Sequence, residues 1–150
     1  MKKLIAISFI VIIAIIGSLI GGNENIVVEN SENVVISIVE DGNYTGVEEV
    51  AEYIHIYGKL PGNYITKNEA REMGWESDKG NLWEVAEFKS IGGDWFGNRE
   101  GLLPKAENRK WNECDINYSG GFRGAERIVF SNDGLIYYTE DHYESFKKIY

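Results

Sequence analysis

The chain has 150 residues, enough for one domain with a core of its own. It carries 24 acidic against 15 basic side chains, for a formal charge of −9; this excludes non-specific nucleic-acid binding through the surface as a whole but leaves room for a local cationic cleft. The single cysteine, Cys114, excludes an internal disulfide, and no Cys/His cluster with zinc spacing accompanies it.

The chain opens on Met-Lys-Lys, followed by the uncharged run "LIAISFIVIIAIIGSLI" at residues 4–20. A positive start before an apolar run predicts a signal peptide over residues 1–22. The run is long for a signal and short for a spanning helix, so the alternative is an uncleaved membrane anchor. In either case the rest of the chain is expected outside the cytoplasmic membrane. Residues 23–44, "NENIVVENSENVVISIVEDGNY", have some strand character but no evident turn or partner, and read as a pro-segment or spacer.

The folded domain is expected over residues 45–150. Thr45-Gly46-Val47-Glu48 has the form of a capping box, and Val47, Val50, Ala51 and Ile54 then recur at helical spacing. Gly58 and Pro61 end that helix. Thr66-Lys67-Asn68-Glu69 starts a second, short helix that Gly74 stops, and "DKGNLWEVAEF" has room for a further helical turn or two. After Lys89 the texture changes to glycines, turn residues and β-branched or aromatic runs. "KWNECDI", "ERIVF", "GLIYYTE" and "SFKKIY" read as strands, with "SNDG" as a hairpin turn between the middle two. Helices first and strands after predict an α+β domain.

Chemistry in this chain must come from carboxylates, cations and two histidines. His55, inside the first helix, reads as a boundary residue. His142 lies just past a strand end, where loops on a rigid sheet present catalytic groups. Glu113 shares one strand face with Trp111 and Asp115, while Asn112, Cys114 and Ile116 take the other. Arg123 and Arg127, taken alone, are expected to pair with nearby carboxylates such as Glu126. "GGDWFGNREGLLP" offers backbone N–H groups, an aromatic face and a carboxylate together, which suits a flat polar ring such as a nucleobase. Each of these also has a plain structural reading: a solvated strand face, a surface ion pair, a glycine-rich turn.

Together the segments say more. "KLPGNYITKNEA", "GW", "KGNL", "KSIGGDWFGNREGLLP", "DINYSGGFR", "ERI" and "TEDHYESFKKI", in this order and spacing, resemble the barnase-like family of secreted bacterial ribonucleases over residues 47–150. The resemblance implies helices packed on a five-stranded antiparallel sheet, and a guanine-preferring endoribonuclease that uses no cofactor and no metal. By the same resemblance Glu113 is the general base and His142 the general acid. Arg123, Arg127 and Lys67 hold the phosphate. Phe96, Gly97, Asn98, Arg99 and Glu100 form the guanine-recognition loop, and Tyr143 lies near the bound base. Gly97 stands where relatives often carry serine, and recognition there is expected to use backbone N–H groups. The implied partners are single-stranded RNA, not DNA, and an acidic cytoplasmic inhibitor of the barstar type, with the enzyme itself a monomer. The relatives are typically basic, unlike this chain.

Two rival readings stand beside this one. Glu113 and Asp115, two apart on one strand face and so about 7 Å from each other, could serve as a glycosidase carboxylate pair. That explains neither the two arginines nor His142. A secreted or tethered RNA-binding or interaction domain without turnover is the other, and the filled catalytic positions argue against it.

Overall fold

In the computed structural model, which describes residues 37–150, the first regular element is helix α1 (Val47–Tyr57). The expected signal peptide or anchor, and the greater part of the expected pro-segment or spacer, lie outside the described residues. Helix α1 buries Val50, Ala51, Tyr53 and Ile54, the stripe that the apolar spacing predicts. Its N-cap is Gly46 rather than Thr45, and no side chain caps it. The carbonyl of Thr45 instead accepts the Asn117 amide at 2.8 Å, so a tertiary bond holds the residue that was expected to cap. Glu48 and Glu49 in the first turn still favour the positive end of the helix. At the other end Gly58, in the left-handed region at φ +66°, closes the helix by donating to the Ile54 carbonyl. His55 is exposed and stacks on Tyr150, with ring centroids 4.0 Å apart.

Residues 38–44 lie along this helix. The Tyr53 hydroxyl donates to the Glu40 carbonyl at 2.7 Å, and the buried Asn63 side chain bonds both the amide and the carbonyl of Tyr44 at 3.2 and 2.9 Å. A two-residue strand, β1 (Tyr64–Ile65), leads into helix α2 (Lys67–Glu72). Here the expected capping box is present: Thr66 Oγ1 accepts from the Glu69 amide and Glu69 Oε2 from the Thr66 amide. One short turn, α3 (Leu82–Val85), buries Leu82.

The rest is sheet: β2 (Ser90–Phe96), β3 (Trp111–Asp115), β4 (Arg127–Ser131), β5 (Ile136–Thr139) and β6 (Lys147–Lys148). These five run antiparallel in chain order, and β1 joins the edge of β2 in parallel, making six strands among the described residues. The architecture is α+β, with helices against a largely antiparallel sheet, as expected. The added member is the parallel β1, too short for an alternating pattern to show.

Strand β2 does not read as a strand because of its glycine pair, and both glycines have work. A Cβ on Gly92 would stand 2.6 Å from both Cys114 Cβ and the Tyr64 ring, so only glycine lets β1 and β3 close over it. Gly93, at φ +95°, is the bulge: the register slips between Gly92 and Asp94, and Asp94 and Phe96 come to face Glu113 and Trp111. Without the slip, every side chain beyond it would fall on the opposite face.

The two faces of the sheet differ in what covers them. Cys114, Ile116, Ile128 and Ile136 pack against Val50, Ala51 and Ile54 of α1. Burial of an isoleucine such as Ile128 contributes about 1.5–3 kcal/mol. Cys114 is thus a core residue opposite Gly92, and burial pushes its thiol pKa well up. The other face carries Trp111, Val129 and Leu103, with Phe96, Tyr137, Tyr143 and Phe146 around them. Arg109 braces this face from its rim, gripping Asp133 of the β4–β5 turn at 2.7–2.9 Å and the Pro104 carbonyl at 2.9 Å.

Candidate active site

Period-two alternation along β3 sends Trp111, Glu113 and Asp115 to the face away from α1. Glu113 is 6% exposed. Its Oε1 accepts from Lys67 Nζ at 2.5 Å, and its Oε2 accepts from the Tyr143 hydroxyl. Lys67 is placed by the start of α2, where its backbone amide donates to Asp94 Oδ2 at 3.0 Å. The bulge in β2 therefore matters twice, because it is what turns Asp94 toward Lys67 and Glu113.

Burial by itself would raise the Glu113 pKa. The hydrogen bonds from Lys67 and Tyr143, with the charges of Lys67 and Arg123, outweigh it, and the carboxyl sits below its ordinary value. A carboxyl depressed by folding stabilises the fold at pH above its unfolded pKa, and that contribution is lost as pH falls through the folded value. Tyr143→Phe removes one of the donors. The expected result is an upward shift of the Glu113 carboxyl titration followed by carbon NMR; an unmoved titration would show that the hydroxyl does not act on Glu113.

Asp115, 2% exposed, organises the arginines. Arg123 binds it in fork geometry, Nε to Oδ2 at 2.7 Å and Nη2 to Oδ1 at 2.6 Å. Arg127 Nε lies 3.0 Å from Oδ1 as an ion pair outside hydrogen-bond geometry, while its Nη1 donates to the carbonyls of Gly124 and Glu126 at 2.8 and 2.7 Å. The expected pairing of the arginines with Glu126 does not form. Glu126 lies next to Arg127 in sequence, so its side chain points to the other face, where it accepts from Tyr138 at 2.5 Å and from Asn117 at 3.1 Å. The role of Asp115 as the arginines' common partner was missed in the sequence. Its place on the Glu113 face, one pleat further on, was the available signal.

The segment after β2 is shaped by Asn98. This residue is 9% exposed with φ +41°, and its side chain spans the loop, donating to the Leu103 carbonyl at 2.9 Å and accepting from the Leu103 amide at 3.0 Å. Asn98 thus ties the loop from within, and Arg99 and Glu100 stand exposed at its tip. Phe96, the last residue of β2, and Gly97 precede it. The Phe96 ring is 5.1 Å from the ring of Tyr143.

His142 and Tyr143 follow β5. Both have positive φ, +57° and +76°. For L-residues the left-handed region costs roughly 1–2 kcal/mol per residue. His142 is exposed, and its ring centroid lies 4.7 Å from that of Tyr143. The chain of contacts is continuous: His142 to Tyr143, Tyr143 to Glu113 and Phe96, Glu113 to Lys67, with the Arg123–Asp115–Arg127 cluster on the next pleat. Of the residues expected from sequence, Lys67, Phe96, Glu113, Arg123, Arg127, His142 and Tyr143 come together here, while Asn98 bonds within its own loop and Arg99 and Glu100 are exposed beyond it.

The sequence pattern of the ribonuclease family matches residues 47–150, the span that holds every one of these side chains. The chain belongs to the ribonuclease family. This ribonuclease is 59% identical over 100 residues to a ribonuclease of Heyndrickxia coagulans, an alignment covering 67% of this chain and 92% of the relative. It is 47% identical over 53 residues to the guanyl-specific ribonuclease St of Saccharopolyspora erythraea, covering 35% of this chain and 52% of that one. A solved structure of ribonuclease Sa2 with guanosine-2'-cyclophosphate is 37% identical and covers 39% of this chain and 63% of that chain, with a TM-score of 0.36. This ribonuclease is an RNA-cleaving enzyme. On this one face of an acidic chain, Lys67 pairs with Glu113 and both Arg123 and Arg127 pair with Asp115.

Proposed function

We propose that this ribonuclease acts outside the cytoplasmic membrane, cleaving single-stranded RNA on the 3' side of guanosine by transphosphorylation to a 2',3'-cyclic phosphate that is then hydrolysed. RNA brings its own nucleophile, the 2'-OH beside the scissile phosphate. Glu113 takes that proton, the 2'-OH replacing the Tyr143 hydroxyl at Oε2. His142 gives a proton to the departing 5'-oxygen, and the two exchange roles when water opens the cyclic phosphate. Lys67, Arg123 and Arg127 stabilise the charge that gathers on the phosphorane oxygens. Arg123, at 20% side-chain exposure, presents the more open guanidinium, and Arg127, at 3%, stands deeper. The base stacks against the Phe96–Tyr143 ring pair, with the Gly97–Glu100 loop at its edge.

The observation that carries this reading is the Glu113 carboxylate. It is buried, held ionised, bonded to a lysine on one oxygen, and joined on the other to the neighbour of the one histidine on this face. Guanosine preference draws support from the loop chemistry and from the guanyl-specific relative. The extracellular setting draws support from the Met-Lys-Lys and apolar start of the sequence. The test is a set of NpN dinucleotides incubated with the purified domain in EDTA. Guanosine 2',3'-cyclic phosphate formed fastest from GpN is the expected result. Equal rates for all four leading bases would remove the guanosine preference, and binding without turnover would leave an RNA-binding module.

A further inference from the structure

The loop that presents His142 and Tyr143 is closed by a side chain that takes no part in the proposed chemistry. Asp141 Oδ1 accepts from Thr139 Oγ1 at 2.8 Å and from the Ser145 amide at 2.9 Å, and its Oδ2 accepts from Ser145 Oγ at 2.5 Å. Thr139 Oγ1 in turn accepts from the Tyr143 amide at 3.0 Å. Thr139 is the last residue of β5 and is 1% exposed, so this circuit of hydrogen bonds is anchored in the sheet.

Inside the circuit lie the two left-handed residues, His142 and Tyr143. L-residues leave that region unless their surroundings hold them there. Among the described residues no side chain hydrogen-bonds to the His142 ring; its direction is set by its own backbone and by the ring of Tyr143. Whatever fixes the backbone of 139–145 therefore aims the histidine. The bonds from Ser145 and Thr139 also hold the Asp141 carboxyl at about 2, so it remains a charged acceptor wherever the protein is folded and active.

We propose that Asp141 is a positioning residue for RNA cleavage: its carboxylate closes the Thr139–Ser145 circuit that holds His142 toward the leaving 5'-oxygen and Tyr143 beside Phe96, where the base stacks. This rests on the reading of His142 as the general acid. Asp141 does its work through geometry, and its loss is felt in the turnover step, where misplacing a reacting group by about 1 Å can cost on the order of 10²-fold.

Four variants decide this, assayed for kcat and KM on a GpN dinucleotide with the urea midpoint of each recorded: Asp141→Ala, Asp141→Asn, His142→Ala, and the Asp141→Ala/His142→Ala double. Asp141→Ala is expected to lower kcat by about tenfold or more, with a smaller change in KM. Asp141→Asn keeps an oxygen acceptor for Thr139 and Ser145, and restores most of that loss. In the His142→Ala background, Asp141→Ala has a much smaller effect on kcat, because the histidine it aims is already removed and only its hold on Tyr143 remains. An unchanged kcat in Asp141→Ala, or an undiminished effect of it in the double variant, overturns the proposal while leaving His142 as the acid. An unchanged kcat in His142→Ala overturns the acid assignment and this proposal together. Should Asp141→Ala fail to fold, Ser145→Ala removes the Oδ2 bond alone; a smaller loss of kcat in the same direction supports the proposal, and no loss overturns it.

Discussion

Replacing Glu113 by glutamine is expected to lower kcat on a GpN dinucleotide by about 10²–10⁴-fold, the range of one general-base contribution. Glutamine keeps the shape and the capacity to accept one hydrogen bond, so the fold around Lys67 and Tyr143 should survive, but it cannot accept the 2'-OH proton. Phe96 and the Asn98-tied loop do not contact Glu113, and glutamine still offers Tyr143 an acceptor, so KM should move far less than kcat. His142→Gln should lose a comparable factor by the same reasoning at the leaving group. Steady-state kinetics on purified variants checks both. A Glu113→Gln or His142→Gln enzyme within a few-fold of the unsubstituted one would falsify the assignment of base and acid. The glycosidase alternative also loses its footing in the geometry: Asp115, which it needs as a second free carboxylate, is 2% exposed and taken up by two arginines.

The second large effect is expected at Asp115. This carboxylate is the counter-charge for Arg123 in fork geometry and for the nearly buried Arg127. Asp115→Asn leaves two guanidinium groups near each other with the shared anion gone and their remaining donors only partly satisfied. Breaking a buried pair from one side typically costs about 3–5 kcal/mol, because the abandoned charge stays desolvated. The expected observation is a lower urea midpoint with an unchanged slope, which marks lost stability without a change in compactness. If the arginines hold the phosphate as proposed, activity should fall as well, since they lose the anchor that sets their direction. A stability loss under about 1 kcal/mol, the size of an exposed surface pair, would show that solvent had already screened the cluster. Phosphate added to this variant should recover part of the lost stability if the vacated positive charge is the cause.

Much of the candidate site was legible in the sequence, and the route to it was the ordered set of segments rather than any single motif. Glu113, Arg123 and Arg127, each with an ordinary structural explanation alone, come to one face of the sheet, where Lys67 bonds Glu113 and Asp115 joins the two arginines. The helix read at Thr66–Glu69 appears with both halves of its capping box, because that signal is local: four residues contain the whole arrangement. The Thr45–Glu48 signature has the same form and fails. Asn117 takes the Thr45 carbonyl from across the domain, and the helix starts at Gly46. A tertiary bond outweighed a cap worth about 1 kcal/mol.

Spacing and turn residues by themselves determined an α+β chain, the existence of α1, α2 and the strands β3 to β6, and which residue types can carry the chemistry, while the ordered set of segments carried the resemblance to the ribonuclease family. These follow from local periodicity, from turn residues and from an ordered set of segments, all of which are written along one dimension. The tertiary structure alone decided who pairs with whom. The bulge at Gly93 turns Asp94 toward Lys67, Asp115 claims both arginines in place of Glu126, Tyr143 caps Glu113, and Asn98 turns inward to tie its loop. Each of these depends on which face a strand shows and on which loop returns beside it. A one-residue slip in register reverses every face, so no reading of spacing along the chain could have settled those partners.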